Sequence, residues 1–168
     1  MRRTRNSARE TEEKNYLGVS LRSLRLCAKK ERAMHENEIS ERIIGAAIEV
    51  HQYHGPGLVE QIYEESLCHE FNLRGIRFER QKPVPINYKG IKLGVPLRLD
   101  VIVEDKVILD LKAKEAVTPL HQAQLLSYLR LLKLRLGLII NFHSVLLKDG
   151  IIRVVNNLQP PKPGSFSL

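Results

Sequence analysis

Asp100, Asp110 and Lys112 stand in a stretch that is otherwise mostly aliphatic, R-L-D-V-I-V-E-D-K-V-I-L-D-L-K-A-K from Arg98 to Lys114. Two acids and an ammonium among so many buried-type residues must be paired, hydrated or engaged with an ion. Paired carboxylates suit a hard divalent cation such as Mg²⁺, which prefers oxygen ligands. A lysine beside them can polarise a water or steady the negative charge of a phosphate. The pattern D…(D/E)-x-K is therefore a candidate phosphodiester-cleaving site. The plainer alternative is an exposed, salt-bridged hairpin.

The local chain explains how these residues would meet. Val101-Ile102-Val103 and Val107-Ile108-Leu109 are β-branched and aliphatic runs that favour a sheet buried on both faces. Glu104-Asp105-Lys106 supplies turn chemistry between them. Asp110 and Lys112 are two apart on an extended strand, so they share a face. Asp100 lies on the neighbouring strand of the same hairpin.

Helices on either side can bring further groups. Asn37 is a candidate cap for a helix starting at Glu38, with Ile39, Ile43, Ala46, Ala47 and Val50 at helical spacing. That helix should end near Tyr53-His54, before Gly55-Pro56-Gly57. His51 and His54 read as residues compatible with a helix C-terminus rather than as metal ligands.

A second helix is expected from about Leu58 to Arg74, stopped by Gly75. Glu60, Tyr63, Glu64, Leu67 and Phe71 form one stripe on it. Tyr63 reads as a core aromatic with a wet hydroxyl. Thr118-Pro119 opens a third helix, to about Arg135, whose many leucines make it apolar nearly all round and predict a central position. Gln124 and Tyr128 share a face of it, where they either contact the carboxylate hairpin or knit the core.

The remaining strands complete a sheet. Ile76 to Ile86 looks extended, and Pro83 and Pro85 suggest an edge. Tyr88-Lys89-Gly90 makes a turn into Ile91-Lys92-Leu93, where Gly94 and Pro96 suggest a bulge. Leu138 to Phe142 reads as a buried strand, and Ile151 to Val155 returns after a turn at Lys148-Asp149-Gly150. The order α-α-β-β-β-α-β-β predicts a mixed sheet with flanking helices, an α/β or α+β domain.

Composition narrows the function classes. A chain of 168 residues can bury a real core. It has no apolar run able to span a bilayer, which argues against a membrane role. Cys27 and Cys68 lie far apart without ligand spacing, which suits a reducing cytoplasm and argues against a disulfide framework or a zinc site. The net charge of +8 is mostly local: residues 1–33 carry +6 and the rest +2. The basic pI is thus a property of the leader more than of the body. Three divisions are expected: residues 1–36 as a disordered or loosely helical basic leader, 37–156 as the domain, and 157–168 as a flexible tail.

The motifs, taken together, match a known family. Gly57-Leu58-Val59-Glu60-Gln61-Ile62-Tyr63 reads G-x-x-E-x-x-Y. With Asp100, Asp110-Leu111-Lys112 and Gln124-x-x-x-Tyr128, the chain resembles the GxxExxY protein family, a branch of the PD-(D/E)xK nuclease-like superfamily. The match runs from about Glu38 to Val155. The resemblance implies a restriction-endonuclease-like core, with a mixed central sheet flanked by helices. It implies Asp100 and Asp110 as ligands of Mg²⁺ or Mn²⁺, with Glu60 as a helix-borne ligand or metal-orienting acid. It implies Lys112 as the group that positions the attacking water, and Gln124 and Tyr128 as a helix motif beside the site.

Members commonly begin near the position of Met34, so the leader is either a phosphate-touching arm or sequence upstream of the true start. Two positions depart from the family. Asp110 stands where glutamate is usual, which shifts the acid by roughly a carbon–carbon bond, about 1.5 Å. His54 stands where an aliphatic residue is usual. The implied partner is nucleic acid, DNA ahead of RNA, with Arg74, Arg77, Arg80, Lys82 and Lys114 as candidate backbone contacts. The alternative is a nuclease-fold protein that binds nucleic acid or a protein without cleaving.

Overall fold

A computed structural model describes residues 34–158. The expectations for the leader up to residue 33, for Cys27 and for the tail from residue 159 lie outside the described residues.

The first helix, α1, spans Glu36–His54. Its cap is His35, not Asn37: the His35 Nδ1 accepts the Asn37 N–H at 3.2 Å. Glu38 reaches back to the His35 N–H at 3.4 Å. An imidazole nitrogen thus does what an amide oxygen was expected to do, and Asn37 falls in the first turn. There its side chain accepts from Arg153 instead.

Helix α2 spans Glu60–Leu73, shorter at both ends than the pattern suggests. Gly75 stops it, at φ 60°, a conformation glycine adopts without a Cβ clash. The expected stripe is real, because Tyr63, Glu64, Leu67 and Phe71 are all buried.

Five strands follow in one sheet: β1 (Phe78–Val84), β4 (Leu97–Val103), β5 (Val107–Lys112), β6 (Leu136–Asn141) and β7 (Ile151–Val155), in the spatial order β1-β4-β5-β6-β7. β2 (Asn87–Tyr88) and β3 (Ile91–Lys92) form a separate small hairpin between β1 and β4. The expected bulge at Gly94 and Pro96 is instead a full break before β4. β1 is an edge strand, in keeping with Pro83 within it and Pro85 just after it. All neighbours are antiparallel except β5 and β6. That parallel pair needs a crossover, which α3 (Pro119–Leu132) supplies. The turn before β7 is a 3₁₀ helix, Leu147–Gly150.

Helices cover both faces. On one, α1 and α2 pack Ile39, Ile43, Leu67 and Phe71 against Val101, Val103, Leu109, Leu111, Leu138 and Ile140. On the other, Leu125 and Leu129 of α3 pack on Leu99, Ile102, Ile108 and Ile139. This is the mixed α/β architecture of a restriction-endonuclease-like fold.

The third helix departs from expectation. Only Leu125 and Leu129 of α3 are buried, while Leu120 is 74% and Leu131 54% exposed. Among the described residues α3 is the helix that covers this face of the sheet, and it buries one side. Its leucines describe helix propensity as well as packing. No helix among the described residues is long and apolar enough to cross a membrane.

Candidate active site

The β4–β5 ladder pairs Val103 with Val107, Ile102 with Ile108, and Val101 with Leu109, and then stops. The next N–H that β5 offers on this side, from Leu111, donates to the Asp100 carboxylate at 3.1 Å instead of to a backbone carbonyl. Asp100 is thereby held by the residue between Asp110 and Lys112. Lys112 Nζ donates to the Asp110 carboxylate and to the Leu111 carbonyl at 3.0 Å. The Lys112 and Asp110 side chains are only 13% and 18% exposed, so the exposed surface pair is not what the chain builds.

Burial shapes the electrostatics. Removal from water pushes the Asp100 carboxyl up, to about 6; the negative charge of Asp110 adds to this, while the Leu111 N–H and the Lys112 ammonium oppose it. Burial alone would pull the Lys112 ammonium down. The hydrogen bond to Asp110 and the charges of Asp110, Asp100 and Glu60 outweigh it, so its pKa is raised. Glu60 is thus near enough for its charge to act on Lys112, from the first turn of α2.

The loop leading to Glu60 is fixed by Tyr63. Its ring is fully buried and stacks on Phe142 at 4.5 Å. The hydroxyl expected to be wet donates to the Gly55 carbonyl at 2.6 Å and accepts the Leu58 N–H at 3.1 Å. His54 bonds Ser66 at 2.8 Å, and His51 bonds the Ser144 carbonyl at 2.8 Å.

The fold therefore gathers Asp100, Asp110 and Lys112 and brings Glu60 within electrostatic range. Gln124 and Tyr128 are on the α3 face and bonded to each other. Tyr128 packs against the cluster that holds Leu99 and Ile108. Among the described residues neither makes a hydrogen bond to Asp100, Asp110 or Lys112. Of the expected backbone-contacting cations, Arg74, Arg77, Arg80 and Lys82 are engaged in ion pairs with Glu70, with Glu104 and Asp105, with Glu64, and with Glu79.

Among the described residues, no three acidic, histidine or cysteine side chains close into a ready-made metal cage. The donor chemistry nevertheless fits a hard cation. Two neighbouring carboxylates offer oxygens only, and one of them is kept from ionising freely by burial and by the other's charge. A divalent charge there would relieve both penalties.

Sequence reading missed three residues that shape the site. Asn141, 4% exposed in an otherwise aliphatic strand, accepts the Lys114 N–H at 3.1 Å and donates to the Lys114 carbonyl at 2.7 Å. It pins the chain just beyond Lys112, and a lone amide in such a strand was the signal. Glu64 and Gln81 are the others: the Gln81 amide donates to Glu64 at 2.8 Å. An open cleft of about 400 Å³ lined by Arg130, Lys133 and Arg135 lies elsewhere. Arg135 precedes β6, whereas Lys112 pairs with Asn141 at the far end of that strand.

In comparison with known proteins, the model of the PD-(D/E)XK nuclease superfamily matches residues 37–154. No curated protein and no solved structure matches the chain.

Proposed function

We infer the activity of this chain from the family it belongs to, the PD-(D/E)XK nuclease superfamily: it is a divalent-metal-dependent nuclease that hydrolyses phosphodiester bonds, in DNA before RNA. The finer placement, in the GxxExxY branch, rests on Glu60, Tyr63, Asp100, Asp110, Lys112, Gln124 and Tyr128. The observation that carries the reading is the meeting of Asp100, Asp110 and Lys112 where β4 parts from β5.

Asp100 and Asp110 would hold Mg²⁺ or Mn²⁺, with Glu60 as a third oxygen donor. The cation's contribution is Lewis-acid neutralisation of charge at the scissile phosphate and acidification of water. Lys112 has two acceptors, the Asp110 carboxylate and the Leu111 carbonyl. It stays anchored by the carbonyl when the carboxylate turns to another partner, and its remaining proton can orient a water or meet a phosphate oxygen. Leu111 keeps Asp100 from swinging away. Gln124 and Tyr128, bonded to each other on α3, would contact substrate, a role that rests on the family resemblance.

The test is cleavage of double- and single-stranded DNA and RNA with Mg²⁺ or Mn²⁺. Wild type should cut at least one substrate, and Asp110→Ala none. Equal and absent cutting by both folded proteins would leave a binding protein built on a nuclease fold.

A further inference from the structure

β1 and β4 both turn over at one level of the sheet. Phe78 packs on the α1–α2 side and Val84 on the α3 side. They are six residues apart, and in a regular strand they would share a face. Opposite them, Val101 and Val103 face α1 and α2, whereas Leu99 faces α3 with Ile102. Arg80 pairs with Val101 and Lys82 with Leu99, while the residues between them, Gln81 and Asp100, do not pair.

Gln81 sits at φ 49°, a left-handed conformation that costs an ordinary side chain free energy and persists only where the surroundings enforce it. The enforcing group is Glu64. Glu64 is 7% exposed, and its carboxylate takes the Gln81 amide at 2.8 Å and the Arg80 Nε at 2.9 Å. A buried carboxylate with two donors from consecutive residues is a clamp: losing Arg80 leaves its charge unpaired, and losing Gln81 leaves one of its oxygens without that donor. In a regular ladder Leu111 would meet Leu99; with the strands turned over, the Leu111 N–H finds the Asp100 carboxylate instead.

We propose that Glu64, through Gln81 and Arg80, is a positioning residue for Asp100: it holds β1 turned over, β4 follows, and Asp100 leaves the ladder to face Asp110. The proposal rests on the metal-nuclease reading only for its functional consequence.

Two readouts separate the claims: amide hydrogen exchange at Leu111 relative to Leu109, and Mn²⁺ affinity by calorimetry. Glu64→Ala should speed exchange at Leu111 at least tenfold relative to Leu109. It should also weaken Mn²⁺ binding roughly 10- to 100-fold, the usual scale for losing a supporting group of a metal ligand. Gln81→Val, β-branched and averse to positive φ, should do the same. Gln81→Gly, at ease at positive φ but without the amide that Glu64 holds, should recover part of what the valine loses.

Unchanged Leu111 protection and unchanged Mn²⁺ affinity in folded Glu64→Ala would overturn the proposal. If Glu64→Ala does not fold, equal behaviour of the valine and glycine variants would overturn it. If wild type binds no Mn²⁺, the nuclease reading falls, and Leu111 exchange alone decides the positioning claim.

Discussion

The Leu111 N–H donates to the Asp100 carboxylate at 3.1 Å, so one acid of the site is tied to the backbone between the other acid and the lysine. That bond ties Asp100 to β5, where the Lys112 ammonium already holds Asp110. The bond exists because the β4–β5 ladder ends at Val101 and Leu109.

Asp100 should make stability fall as pH rises. Its folded pKa is about 6 against an ordinary 3.8. Between these values the folded chain holds a proton that the unfolded chain has released, so unfolding free energy declines as pH climbs from about 4 to about 6. Asp100→Asn removes the effect and keeps an oxygen for the Leu111 N–H. Urea denaturation should show the variant gaining on wild type across that window and level above it. A pH-independent difference would contradict the assignment. Cation affinity should rise over the same window.

Lys112→Met should separate binding from chemistry. Removing the ammonium leaves Asp100 and Asp110 as uncompensated neighbours and should cost the metal-free protein roughly 1–3 kcal/mol. Mn²⁺ should restore it by mass action. Cleavage should fall on the order of 10²-fold or more, while Mn²⁺ affinity holds or improves because Asp110 is released. Thermal denaturation with and without Mn²⁺ checks the first part, and a cleavage time course the second.

Tyr63→Phe keeps the stack on Phe142 and deletes two hydrogen bonds to the loop before Glu60. A loss of about 1–3 kcal/mol is expected, the net worth of two hydrogen bonds at about 0.5–1.5 kcal/mol each. Denaturant titration reads it. A change below about 0.5 kcal/mol would show that the hydroxyl does not secure the loop.

Gly137→Ala tests how α3 seats on the sheet. A Cβ there would come within 2.9 Å of the Leu125 side chain. Leu125 is buried between α3 and the sheet, so the helix must shift or Leu125 must leave its rotamer, at about 1–3 kcal/mol. A variant as stable as wild type would mean that α3 rides loosely over the sheet.

Much of this was legible in residue types. The aliphatic hairpin with its embedded acids, the α2 stripe through Tyr63 and Phe71, and the proline-marked edge strand follow from periodicity and turn chemistry, which act locally. What was not legible depends on contacts across the sheet. Nothing in glutamine announces a positive φ, and Gln81 adopts one because Glu64, seventeen residues earlier, is waiting for its amide. His35 caps α1 only because its ring nitrogen meets the Asn37 N–H. The leucines of α3 could not say how many neighbours the helix has. For the site, the acids and lysine were visible by spacing, whereas the parting of β4 from β5 that brings them together was not.

A calorimetric titration of Mn²⁺ into wild type, Asp100→Ala and Asp110→Ala most directly tests whether the two acids share one ion. A single saturable site in wild type, lost or weakened at least tenfold in both variants while they stay folded, is the result the shared site requires. Absence of binding in wild type, or binding that either alanine leaves untouched, would contradict it.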